Sequence, residues 1–215
     1  MTAGQSGQAA DCSSASPGRT PHSRRRFAAI VILLAAGACL GQAGWIHAKA
    51  WLAQELIDHA FSRAATSGAG PPAAVRPWPW ADTQPVARLH LPGAARPLVV
   101  LAGASGRNLA FAPTHDPASV LPGETGNSII SAHRDTHFRG LAGLVLGDRV
   151  AVERLDGRNI TFEVSSLEIV DSRRARLLLD ADAPRLTLVT CYPFDAVDPN
   201  GPWRYVVTAL PIGEL

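Results

Sequence analysis

The sequence predicts an all-β domain, a sandwich or closed barrel, placed behind one N-terminal apolar helix. Three observations carry this. From about Trp80 onward the chain breaks into short apolar or alternating runs at 86–91, 98–102, 128–132, 149–155, 159–170, 185–191 and 204–210, a spacing typical of sandwiches and barrels. Seventeen Pro and nineteen Gly, against two Tyr and one Met, favour a turn-rich architecture over a helix bundle. Ahead of these runs, no formally charged residue occurs between the triplet Arg24, Arg25, Arg26 and Lys49.

The composition bounds the rest. A chain of 215 residues fits one medium domain with extras, or at most two small ones. A 47% hydrophobic content and a net charge of +2 exclude a disordered chain. With so small a basic excess and no basic–aromatic stripe, a nucleic-acid partner is not expected. Nineteen of the twenty basic residues are Arg, a habit of composition to which no mechanism attaches.

In chain order, residues 1–26 read as a Ser/Gly/Ala/Pro-rich disordered cytoplasmic tail. Residues 27–46, FAAIVILLAAGACLGQAGWI, carry Gln42 as their one clearly polar side chain. At ~1.5 Å per residue they span about 30 Å, the thickness of a bilayer's hydrocarbon core. Trp45 suits the interfacial belt, and the Arg triplet places the N-terminus in the cytoplasm. A cleaved signal peptide has the same order of features but usually a shorter apolar run, ~7–15 residues. A lipoprotein signal ending at Cys39 lacks its large aliphatic residue in Ala36-Gly37-Ala38, and a buried soluble helix is disfavoured by the flanking arginines. The expected localisation is therefore a single-pass membrane protein with a cytoplasmic N-terminus and an exported domain. Gly37 and Gly41 form a GxxxG, which the Ala/Gly-rich composition explains without a dimer.

Residues 47–79 are expected as a helical stalk and linker. Leu52, Leu56 and Ala60 form one stripe, with Ile57 and Phe61 beside it, until the Pro/Gly-rich stretch 66–79 breaks the helix. Residues 80–215 are the expected globular domain. Pro122-Gly123, Asp156-Gly157 and Pro199-Asn200-Gly201 punctuate its strands.

Of the three cysteines, Cys12 falls in the tail and Cys39 in the span, so no disulfide framework exists. Cys191 ends the run RLTLVTC at 185–191, where a side chain can face a groove. Spacing alone leaves two readings open, a buried structural thiol or a nucleophile. An ordinary thiol, pKa ~8.5, is only a few per cent thiolate at neutral pH, so catalysis needs a base or cation nearby. His133 closes the run SIISA and opens a polar loop. Arg204 begins the strand after Cys191. If 185–191 and 204–210 pair antiparallel, Arg204 returns beside Cys191 and can donate to an oxyanion; a plain surface charge is the other reading.

Further histidine readings are weaker. His133 and His137 have a zinc-helix spacing, but Arg134 stands where a metalloprotease needs Glu and the flanks read as strand and loop. His22, His47, His59, His90 and His115 read as solvated or packing residues. No G-x-S-x-G occurs to support a serine triad. No metal and no cofactor is expected.

Ser131-Ala132-His133-Arg134-Asp135-Thr136-His137-Phe138, together with Leu186-Thr187-Leu188-Val189-Thr190-Cys191 and the downstream Arg204, resembles a sortase, and more narrowly the proteobacterial-type sortases of class GN. Supporting segments are PWADT at 79–83, LPGETGN at 121–127 and CYPFDA at 191–196; APTH at 112–115 departs from the family's glycine-richer stretch. The resemblance implies an eight-stranded β-barrel and a cysteine transpeptidase that cleaves an LPxTG-like sorting signal between Thr and Gly. Cys191 would form a thioacyl enzyme, His133 would act as general acid/base, and Arg204 would stabilise the oxyanion or hold substrate backbone. Thr190 would support the substrate or the Cys loop. The implied partners are a sorting-signal protein, an amine acceptor and the membrane. A catalytically silent β domain that binds a periplasmic partner peptide is the alternative. An L,D-transpeptidase would instead need a Ser/Gly-rich turn before the Cys, which Leu-Val-Thr does not supply.

Overall fold

The computed structural model describes residues 21–66, 75–196, 198 and 201–213. Residues 1–20 of the expected tail, with Cys12, most of the linker, and residues 199 and 200 of the last turn signal lie outside them, whereas residues 21–26, expected as tail, begin the first helix.

Helix α1 (Pro21–Thr66) is followed by β1 (Pro85–His90), β2 (Leu98–Ala102), the short α2 (Gly106–Leu109), β3 (Thr114–His115) and β4 (Asn127–Ser131). A 3-10 turn (Arg139–Gly143) leads to β5 (Arg149–Arg154), β6 (Asn159–Asp171), β7 (Arg185–Cys191) and β8 (Trp203–Pro211). The strands close into one barrel in the order β1-β2-β3-β4-β7-β8-β6-β5. Two neighbouring pairs, β2·β3 and β4·β7, are parallel and the rest antiparallel. This is the all-β, eight-stranded barrel the sequence predicts, with an apolar helix ahead of it.

The residues explain the elements. In β1, Ala87 and Leu89 turn into the core while Val86, Arg88 and His90 are half-buried, the alternation of a strand covered more on one face. In β2 the run LVVLA has apolar residues on both faces: Val100 enters the barrel core, and Val99 and Leu101 meet α1. The core is built on Phe138, Phe162, Ile130, Leu186, Leu188 and Val207, all essentially unexposed, each side chain contributing about 1.5–3 kcal/mol relative to exposure.

The compact unit from Lys49 onward includes the end of α1. There Ile57 and Phe61, spaced i, i+4, pack against Val99, Leu101 and Ala112. Gln54 Nε2 donates to the Phe111 carbonyl at 2.6 Å, and the Arg88 guanidinium lies 4.1 Å from the Phe61 ring centroid. The buried face is thus centred on Ile57, Ala60, Phe61 and Ala64; Leu52 is 51% exposed. The N-terminal unit, up to Ala48, carries the helix's apolar window, with a mean hydropathy of 2.0 and nothing buried. Among the described residues this is the one helix long and apolar enough to cross a membrane.

The residue pattern alone yields seven strands, and the eighth is β3. Two residues long, it is made by its neighbours: Thr114 and His115 pair with Leu101 and Ala102 on one side and with Ser131 and Ile130 on the other. His115 is a packing residue, 5% exposed, with Nε2 2.8 Å from the Val120 carbonyl and 3.1 Å from Ser119 Oγ.

Candidate active site

The mixed ladder decides what meets at the barrel rim. β4 and β7 run parallel, with Ser131 opposite Val189, and the Ala132 N–H continues the ladder onto the Val189 carbonyl at 3.2 Å. Parallel strands end at the same rim, so His133, directly after β4, emerges beside the end of β7. On the other side β8 is antiparallel to β7, with Cys191 opposite Arg204. The end of β4, the end of β7 and the start of β8 therefore form three adjacent stations, with neighbouring strands ~4.8 Å apart and Cys191 in the middle. The structure brings His133, Cys191 and Arg204 to one edge of the barrel.

Each station has its own support. Cys191 is a half-buried free thiol, preceded by Thr190, which is 2% exposed. The Thr190 hydroxyl donates to the Ala132 carbonyl at 2.7 Å, tying β7 to the residue before His133. Of the two supporting roles expected for Thr190, this bond favours the Cys segment, since the hydroxyl is committed inside the fold. Deeper in the strand Thr187 Oγ1 donates to Asn127 Oδ1 at 2.7 Å, a second link between β4 and β7.

His133 is exposed, and its loop is short and anchored. The Phe138 N–H donates to the His133 carbonyl at 3.0 Å, and the Phe138 ring is fully buried in the barrel core. Burial, with the nearby His133 adding to it, holds the His137 imidazole below its ordinary pKa. Arg204 donates through one terminal nitrogen to the carbonyls of Gly201 at 2.7 Å and Trp203 at 2.9 Å. Since a guanidinium carries five N–H donors, others remain for a substrate oxygen.

Aromatic rings wall the Cys191 side. The Phe194 ring lies 5.2 Å from that of Tyr205 in an edge-on arrangement, and Tyr192 lies 6.2 Å and 6.3 Å from the two. The Tyr192–Pro193 peptide is cis. Burial, with Tyr192 beside it, pushes the Tyr205 phenol above its ordinary pKa. On the His137 side an open cleft of about 460 Å³ is lined by Leu91, Leu98, Arg96, Thr136, His137 and Arg139 among others.

One residue of this rim carries no sequence signal of its own. Arg134 is only 8% exposed, whereas a charge in a polar loop reads as solvated. Its position next to a candidate general acid is the one hint the chain offers. A thiol, an imidazole and a guanidinium are the kinds of group that can act as nucleophile, proton carrier and oxyanion donor in acyl transfer.

The barrel and its sequence have counterparts among known proteins. The sortase-domain family model matches residues 89–212. Sortase D of Bacillus subtilis (strain 168) is 32% identical over 120 residues, which are 55% of this chain and 60% of that protein; the chain thus matches somewhat less than two thirds of that relative's length. Among solved structures, sortase A from Corynebacterium diphtheriae superposes with a TM-score of 0.56 at 23% identity, covering 63% of this chain and 64% of that one. A Clostridium perfringens sortase D5 transpeptidase gives 0.53 at 25%, covering 60% and 80%. Sortase C-1 from Actinomyces oris gives 0.54 at 26%, covering 61% and 76%.

Proposed function

The chain belongs to the sortase family, and from that premise we propose that it is a membrane-anchored cysteine transpeptidase acting on an LPxTG-like sorting signal. The observation that carries the reading is the placement of His133, Cys191 and Arg204 on three adjacent strand ends.

In this reading the Cys191 thiolate attacks the carbonyl carbon of the Thr–Gly bond, and the carbonyl oxygen becomes an oxyanion. Arg204 donates to that oxygen, or holds the substrate backbone, through donors not engaged by the Gly201 and Trp203 carbonyls. The imidazolium of His133 gives its proton to the departing Gly amine, leaving a thioester on Cys191 and a neutral imidazole. An acceptor amine then attacks the thioester, His133 takes its proton back, and the new amide leaves the thiolate free. Water in place of the amine gives hydrolysis. Thr190 contributes by holding the end of β7 to the strand that carries His133.

The finer assignments belong to the same proposal. Class GN rests on the wording of segments 131–138 and 186–191 and the supporting motifs; the relatives matched carry class A, C and D names. Membrane anchoring through residues 27–46, with a cytoplasmic N-terminus, rests on the uncharged helix behind the Arg triplet.

The test is mass spectrometry of the full chain incubated with an LPxTG peptide and an amine such as glycine amide. A product joined at Thr, with a thioacyl adduct on Cys191, is expected. Cleavage that persists in Cys191→Ala overturns the enzyme. No cleavage together with tight peptide binding marks the catalytically silent β domain instead.

A further inference from the structure

Hydrogen bonds bracket His133 on both sides. On its N-terminal side the Ala132 carbonyl receives the Thr190 hydroxyl. On its C-terminal side Arg134 sends one terminal nitrogen to the Ala196 carbonyl at 2.8 Å and the Asp198 carbonyl at 3.0 Å. Those acceptors lie 62 and 64 residues away in sequence, in the segment that joins Cys191 to Arg204. The residues flanking the candidate general acid thus hold the chain just before the nucleophile and the chain just after it.

Burying a guanidinium is costly unless its donors are satisfied. Arg134, at 8% exposure, is a poor choice for a residue that serves only solubility, and a loop could be closed by cheaper groups. Its reach suits a different task. One terminal nitrogen bridges two carbonyls of the β7–β8 loop, which couples that loop to the His133 loop.

Resting on the proposed transpeptidase reading, we propose that Arg134 is a positioning residue that sets the separation of the His133 imidazole from the Cys191 thiol by clamping the Ala196 and Asp198 carbonyls. It touches neither substrate nor reacting atoms. The His133 loop is held at its ends by β4 and the buried Phe138 ring, and the β7–β8 loop by its two strands; the Arg134 clamp joins one loop to the other between those ends. Without the clamp their tips separate, and a displacement near 1 Å costs on the order of 10²-fold in rate.

The experiment compares Arg134→Gln and Arg134→Lys with wild type in the full chain. It measures melting temperature, kcat and KM for an LPxTG peptide, and the pH dependence of iodoacetamide alkylation at Cys191, quantified on the Cys191 peptide by mass spectrometry. Thiolate and imidazolium stabilise each other in proportion to their proximity, widening the interval between the two macroscopic steps of the pair. Arg134→Gln should lower kcat by about 10–100-fold with KM changed little, and its alkylation profile should differ from that of wild type. Arg134→Lys, which keeps the charge and offers three N–H donors but with a shorter reach and a different head geometry, should recover part of both. The other groups facing the pair, His137 and Asp135 on the same loop, Arg204 on β8, and Tyr192 and Tyr205, stay in place in both variants. A folded Arg134→Gln with wild-type kcat and an unchanged alkylation profile overturns the proposal. If Arg134→Gln does not fold, an Arg134→Lys with wild-type profile and reduced melting temperature also overturns it, because a purely structural tie moves stability alone. A wild-type chain that fails to transpeptidate while the alkylation profile still shifts with Arg134 defeats the transpeptidase and leaves the clamp standing.

Discussion

Replacing Thr190 by Val removes one hydroxyl and almost nothing else. Both side chains are β-branched, so no cavity opens, and Thr190 is 2% exposed, so water does not take the place of the lost donor. What disappears is the 2.7 Å bond to the Ala132 carbonyl. A net hydrogen bond is worth about 1 kcal/mol, and a buried carbonyl left without its donor costs about 1–3 kcal/mol. For a folded unit of this size each kcal/mol moves the melting temperature by about 2–4 °C, so the expected drop is about 2–12 °C. The same bond anchors the residue before His133, so kcat should fall by up to 10²-fold while KM changes little. The assay is thermal unfolding together with steady-state peptide cleavage. Thr190→Ser is the control, since it keeps the donor and loses one methyl, worth about 0.8 kcal/mol. A Thr190→Val protein with unchanged melting temperature and kcat, or a serine variant as impaired as the valine one, refutes the anchoring role.

Four further outcomes are expected. Arg204→Ala should lose on the order of 10²–10³ in kcat, the scale of an oxyanion donor, and Arg204→Lys should recover little because the fork is gone; peptide kinetics decide. The His137 C–H resonances should titrate with a midpoint below the usual ~6.5, because burial and then His133 disfavour its charged form. The unfolded chain then takes up that proton first, so the contribution of His137 to stability is present above about pH 6.5 and is lost as pH falls through the folded value; His137→Gln should flatten this part of the melting-temperature profile. Gly126→Ala should cost about 1–3 kcal/mol in thermal unfolding, since Gly126 has φ +123 and an added Cβ would sit 3.1 Å from Val120 Cγ2. A C-terminal alkaline phosphatase fusion should be active and a C-terminal GFP fusion dark, and the reverse pattern would overturn the proposed topology.

The fold was readable wherever a strand faces two unlike environments or none. Ala87 and Leu89 inside, with Arg88 and His90 outside, announce β1. The run around Ile129 and Ile130 announces β4, covered on both sides. β3 could not be read, because its two residues owe their conformation to Leu101 and Ser131, which lie on other strands. The helix illustrates a different limit. Of the stripe through Leu52, Leu56 and Ala60, Ala60 is buried and Leu52 exposed, and the centre of the buried face is Ile57 and Phe61, the pair read as lying beside the stripe. Periodicity finds a face, and the strand it packs on chooses its centre.

The candidate site divides along the same line. Pairing of β7 with β8 across one loop is a local event, and the meeting of Cys191 with Arg204 follows from it. The approach of His133 is not local: it depends on β4 and β7 pairing in parallel across a long stretch of intervening chain. Were that pair antiparallel, the end of β4 would lie at the opposite rim from the end of β7, and no loop could bring the imidazole back. Register matters as much as direction, because a slip of one residue would turn Thr190 outward and Cys191 into the core. The Thr190–Ala132 and Thr187–Asn127 bonds join these same two strands, and both would be lost in the slipped register. Two buried threonines therefore specify which face of the barrel rim receives the thiol. Strand periodicity displays them only as ordinary members of a strand, and Thr190 stands out solely through the motif it shares with Cys191, since their partners are acceptors 58 and 60 residues away.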